Sequence, residues 1–209
     1  LEHCSSGQGR GGTSSRLASP VSRPQDPVVV TTAPSEGVRP GLGSAPDDLL
    51  DVDWQQATLT AEFCGVEQPV TMANGEARAT STIWGPVEVV VNPRKPAWFG
   101  DLDADGRDEA AVNVHCENGG HLTLAFGLLV VRSFNGTLEL VGEISTTTMR
   151  DDSPHVPLLA DPRFEYGAIT VRELWYRPSD AGCCPTGVAQ TRWSLRDGTL
   201  KAAPAVQVS

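Results

Sequence analysis

The chain has 209 residues, 26 Asp and Glu against 16 Lys and Arg, a formal net charge of −10 and a pI near 4.8. That balance disfavours nucleic acid as a partner, because affinity for a phosphate backbone rests on clustered Lys and Arg. The longest near-apolar stretch, Leu122 to Val131, covers 10 residues, well short of the roughly 20 that an apolar helix needs to cross a bilayer.

Residues 1–50 hold 6 Pro, 7 Gly and 8 Ser and no Phe, Trp or Tyr. Such a stretch buries too little apolar surface to offset the entropy of ordering it. It reads as a Pro/Gly/Ser-rich tether over residues 1–48, followed by a single domain over 49–209. The one strand-like run in it, Pro27 to Thr32, is confined by Pro24, Pro27 and Pro34, which argues against a regular strand. Cys4, followed by Ser5-Ser6-Gly7 and the tether, resembles the lipid-anchored first residue of a mature bacterial lipoprotein. Glu2 and His3 depart from the small residues that precede the cysteine in a lipobox. The resemblance implies an extracytoplasmic location, with the membrane touched only through a lipid on Cys4.

Beyond the tether the chain falls into short runs rich in Val, Thr, Ile and aromatics, separated by turn residues. In chain order these are Gln56 to Phe63, Pro69 to Met72, Glu76 to Thr80, Val87 to Val91, Ala110 to His115, Leu122 to Phe134, Thr137 to Ser145, Phe164 to Tyr176, Val188 to Leu195 and Leu200 to Ala203. Asn74-Gly75, Asn135-Gly136 and Asp197-Gly198 each stand between two such runs, and these dipeptides supply the two positive φ angles of a tight hairpin turn. Helical periodicity of useful length is missing; short helices are expected only around Pro46 to Trp54 and Pro154 to Leu159. The fold class that follows is all-β, an antiparallel meander of about ten short strands closed as a sandwich, a barrel or a propeller-like body.

The most informative string is Gly100-Asp101-Leu102-Asp103-Ala104-Asp105-Gly106-Arg107-Asp108-Glu109. Carboxylates at loop positions 1, 3 and 5 converge when glycine at position 6 takes a sharp turn, and a hard divalent cation, Ca2+ before others, relieves their repulsion. Position 12 is Val112, where an EF-hand carries its bidentate glutamate, and a strand-like run follows in place of a helix. The string resembles instead the D-x-D-x-D-G-x-x-[DE] calcium loop of FG-GAP and integrin-type β-hairpins. That resemblance implies ligation by the carboxylates of Asp101, Asp103 and Asp105, the backbone carbonyl of Arg107 and the carboxylate of Glu109. It also implies flanking strands at Trp98-Phe99 and Ala110 to Val114, with Asp108 a bystander.

Cys64, Cys116, Cys183 and Cys184 form an even set in the domain without zinc-type spacing, and His3, His115, His121 and His155 are scattered. Two disulfides are expected, hence an oxidising compartment. Adjacent Cα atoms lie about 3.8 Å apart, less than the roughly 4.4–6.8 Å usual across a disulfide. This favours one bond from Cys64 and one from Cys116 to the Cys183-Cys184 pair, with the order open. The alternative is Cys64 to Cys116 with a ring between Cys183 and Cys184.

No nucleophile elbow, phosphate-binding glycine loop or His-Glu-x-x-His motif occurs. His121 is a solvated loop residue in this reading, and Trp54, Trp84, Trp98, Trp175 and Trp193 are sheet packing before they are a ligand platform. The Cys4 tether, the acidic loop, Cys116 and Cys183-Cys184-Pro185 together resemble uncharacterised secreted lipoproteins of high-GC Gram-positive bacteria carrying a lone FG-GAP-like loop. The function this implies is non-catalytic binding or scaffolding of an extracellular protein or glycan, by a domain stabilised by Ca2+ and two disulfides. The alternative is an extracellular hydrolase whose acidic catalytic residues the sequence does not single out.

Overall fold

The computed structural model describes residues 41–146 and 153–208; Cys4 and most of the tether lie outside them. The fold is all-β, with antiparallel strands in curled sheets that include a half-barrel. A two-stranded sheet pairs β1 (Thr58–Ala61) with β2 (Val66–Thr71), and a 3-10 turn over Glu62–Cys64 joins them. The main sheet runs β3 (Glu76–Ser81), β4 (Gly85–Val91), β6 (Glu109–Glu117), β7 (Thr123–Phe134), β8 (Thr137–Ser145). The short β5 (Ala97–Gly100) pairs with the first half of β6, and β4 with its second half. A second sheet orders β12 (Thr199–Ala202), β11 (Gly187–Arg196), β10 (Ala168–Trp175), β9 (Leu158–Glu165), with β13 (Val206–Gln207) also on β11.

Period-two alternation explains how the layers stack. Ala110, Val112, Val114 and Cys116 of β6 enter one core with Leu129 and Val131 of β7, and there they meet Leu42, Leu49, Trp54, Leu59 and Met72. The intervening residues Ala111, Leu128 and Val130 enter a second core with Ile169, Val171, Trp193 and Leu200 of the other sheet. The central strands are thus buried on both faces, which is why they read as continuous apolar runs. Beyond Val112 the second face opens, and Asn113, His115 and Glu117 are only half-buried.

Asn135 and Gly136 have φ of 50° and 73°, Asp197 and Gly198 have 50° and 70°, and both turns close the expected hairpins. Asn74-Gly75 also turns, but past the Ala73–Glu76 bridge β2 leaves for β1 while β3 joins the main sheet. Other expectations need correction. Phe164 to Tyr176 is two strands, broken by a turn at Tyr166-Gly167, and no helix forms over Pro154 to Leu159, where β9 begins. Near Pro46 to Trp54 the helix is a single 3-10 turn, Leu49–Asp51. The domain also starts before residue 49: the Leu42 N–H donates to the Leu138 carbonyl, and Ser44 bridges Thr137 of β8.

The favoured cysteine pairing is overturned. Cys64 bonds Cys116, with Cα atoms 6.2 Å apart, and Cys183 bonds Cys184. Register is the reason. Cys64 sits under the face of β6 that carries Cys116, and both are fully buried in the first core. Cys183 and Cys184 lie in an exposed loop between β10 and β11 of the other sheet. The Cys64–Cys116 bond spans 52 residues, so Cys64→Ala/Cys116→Ala should lose roughly 3–4 kcal/mol of stability in urea unfolding. Cys183→Ala/Cys184→Ala, which opens no long loop, should change it by less than about 0.5 kcal/mol.

Candidate metal centre

The acidic loop joins β5 to β6, whose pairing brings Gly100 opposite Glu109 at its neck. Both flanking strands are as expected. Gly106, with φ of +85°, takes the left-handed turn; a β-carbon there would meet nothing, so the backbone angle and not space calls for glycine. Ala104 shares this left-handed geometry at φ of 62°.

The loop's own polar groups fold it inward. The Gly106 N–H donates to Asp101 Oδ2 (3.1 Å), the Asp105 N–H to Asp103 Oδ1 (3.1 Å) and the Arg107 N–H to Asp105 Oδ1 (2.8 Å). Leu102 points the other way, fully buried between the sheets. Its carbonyl accepts from the Gly167 N–H of the β9–β10 turn, and its N–H donates to Glu109 Oε2 at 2.6 Å. The loop therefore straps one sheet to the other.

Three of the expected ligands come together. Asp101, Asp103 and Glu109 each offer a carboxylate oxygen, and these oxygens lie within 4.8 Å of one another. Asp101 Oδ1 is buried and has no hydrogen-bond partner among the described residues. An unpaired buried carboxylate oxygen carries a desolvation cost that a bound cation would remove. An all-oxygen donor set of this kind fits a hard cation. Asp105 is not in this group; it is held by the Arg107 guanidinium at 2.8 Å, which also keeps its carboxyl below the usual range. Arg132 Nη1 stands 4.0 Å from Asp103. Asp108 is exposed at the rim.

Glu109 is the electrostatic centre. Burial, reinforced by the nearby charges of Asp103, Asp105 and Asp101, pushes its pKa up to about 7, against the opposing Leu102 hydrogen bond.

A second cluster escapes the sequence reading. Register sets Glu88 of β4 opposite Glu117 of β6. Two histidines flank Glu117, His121 with Nδ1 at 3.0 Å and His115 with Nε2 at 3.8 Å. Five residues of sequence separate these histidines, and only the β-strand and the turn after it bring both rings to one carboxylate. Spacing alone carried no signal for it.

Trp54 and Trp193 are buried in the two cores, and Trp84 and Trp98 pack against them. Comparison with protein-family models, with curated proteins and with solved structures gives no match.

A carboxyl whose folded pKa lies above its unfolded value binds more protons in the native state, so stability falls as pH rises between the two values. In divalent-free buffer, urea unfolding of the wild type should therefore lose more stability between pH 5 and pH 8 than Glu109→Gln does. The glutamine keeps an acceptor for Leu102 but has no charge to bury; equal losses in both proteins would show that Glu109 ionises freely.

Proposed function

We propose that this chain is a non-catalytic, extracytoplasmic binding or scaffolding domain whose acidic hairpin loop holds a structural calcium ion. The observation that carries the reading is the buried Asp101 Oδ1, without a partner among the described residues, beside the oxygens of Asp103 and Glu109. Asp101, Asp103 and Glu109 would form the core of the site. Asp105 and the Arg107 carbonyl would complete it once Asp105 exchanges its guanidinium partner for the ion. The ion would supply charge neutralisation, fixing the turn through which Leu102 ties the two sheets together. Two disulfides suit export to an oxidising compartment. Cys4 would serve there as a lipid anchor, with the stretch after it as a spacer.

A binding role fits the surroundings of the loop better than a hydrolytic one. Beside Asp101 lies a cleft of about 560 Å3 lined by Lys95, Trp98, Phe164 and Tyr166. It offers aromatic faces and charged edges of the sort that meet a glycan or a polar peptide. The half-buried carboxylate of Glu143 is committed to structure, accepting from the Thr60 hydroxyl at 2.9 Å and the Phe63 N–H at 3.0 Å. In the larger cavity of about 710 Å3, Ser153 and His155 are neighbours, but the serine hydroxyl donates to the His155 carbonyl and accepts from the Tyr176 N–H. It is not aligned on an imidazole base, as a nucleophile requires.

Calcium added to chelator-treated protein should raise the melting temperature. At a hundredfold excess over Kd the gain is about 2.7 kcal/mol, or roughly 5–10 °C for a domain of this size. Asp101→Asn and Asp103→Asn should each abolish most of the shift. A wild type that melts unchanged in millimolar calcium would remove the proposal.

A further inference from the structure

We infer that the open end of β6 is a second metal site, built by Glu88, Glu117 and His121 with His115 beside them, and selective for a borderline divalent cation of the Zn2+ type. One ligand atom from each of Glu88, Glu117 and His121 lies within 4.8 Å of the other two. Modest side-chain adjustment would bring all three onto one centre at the roughly 2.0–2.2 Å of zinc–nitrogen and zinc–oxygen bonds.

The donors are placed by independent parts of the fold. Glu88 and Glu117 are directly opposite in the β4–β6 register, an arrangement of like charges that is unfavourable unless something cationic stands between them. Arg78 reaches Glu88 at 3.3 Å, but its side chain is 90% exposed, and an exposed pair of this kind contributes little. His121 comes from the following loop. That loop is pinned where Asn118 Oδ1 accepts from the N–H groups of Gly120 and Leu122, and where the Asn118 carbonyl accepts from the His121 N–H. His115 approaches from the same face of β6, two residues before Glu117, and its ring packs near Phe126.

Ligand chemistry separates this site from the acidic loop. Calcium takes six to eight oxygens and has little use for imidazole, whereas two carboxylates and one or two imidazoles match zinc and its neighbours. Three protein donors leave coordination positions to water or to a group on a partner.

The test is calorimetric titration of Zn2+ into the full chain in millimolar calcium, so that the oxygen-only loop is already supplied. One strong site is expected. His121→Asn and Glu117→Gln should each weaken it by at least about tenfold, and His115→Gln by about tenfold as the flanking imidazole. Zn2+ should also shift the ring proton resonances of His115 and His121 in the wild type. His3→Ala/Cys4→Ala should leave the binding unchanged. The inference is overturned if no zinc binds, or if binding survives intact in His121→Asn and Glu117→Gln. It is equally overturned if His3→Ala/Cys4→Ala abolishes binding, because the metal would then sit on the N-terminal segment. Calcium stabilisation at the loop is scored separately by Asp101→Asn, so neither result stands in for the other.

Discussion

The hydrogen bond from the Leu102 N–H to the buried carboxylate of Glu109 is the point at which fold and chemistry meet. It closes the β5–β6 hairpin at its base and holds Leu102 in the second core, where its carbonyl takes up the turn of the opposing sheet. The same bond obliges the protein to keep a carboxylate out of water among three aspartates, which raises its pKa to about 7. A loop needed only for solubility would turn its acids outward. Here Asp101 and Glu109 are turned in, at an electrostatic cost that a cation would relieve.

Much of the fold was legible in the sequence because it is written in local geometry. Asn135-Gly136 and Asp197-Gly198 demand positive φ at two successive residues, and a hairpin of this type is nearly the only structure that uses both. Asn74-Gly75 shows the limit. Its turn is real, yet which sheet each flanking strand joins depends on packing many residues away. Tyr166-Gly167 carries a weaker turn signal, and the β-rich residues on either side concealed it. The cysteine pairing failed for the same reason as sheet assignment. The adjacency argument weighed a local distance correctly, but the deciding fact was that Cys64 and Cys116 face each other within one core.

Within the site, spacing pointed to convergence of Asp101, Asp103 and Asp105, because a turn of fixed length brings alternate residues to one side, and the resemblance to the FG-GAP-type loop added Glu109; the group that forms is Asp101, Asp103 and Glu109. Spacing could not reveal that Arg107, two residues beyond Asp105, would take that carboxylate for itself. Nor could it show that one oxygen of Asp101 would be left buried without a partner among the described residues. The Glu88, Glu117 and His121 cluster was beyond its reach altogether, since nothing short of the β4–β6 register places residue 88 beside residue 117.

Glu109 and Glu117 stand eight residues apart on one strand and, by the alternation of a strand, on the same face, about 27 Å from end to end at 3.4 Å per residue. Their environments differ because the second sheet covers only the first half of that face. Under it, Glu109 is buried beside the carboxylates of Asp101 and Asp103 with no imidazole in the group, and the proposed occupant is a hard ion that serves the fold. At the uncovered end Glu117 is half-exposed between two imidazoles, and there a borderline ion could keep open positions facing solvent. Separation of this size makes the two sites energetically independent. One could stabilise the domain while the other met an external ligand, a division of labour that a single β-strand achieves through partial cover of one of its faces.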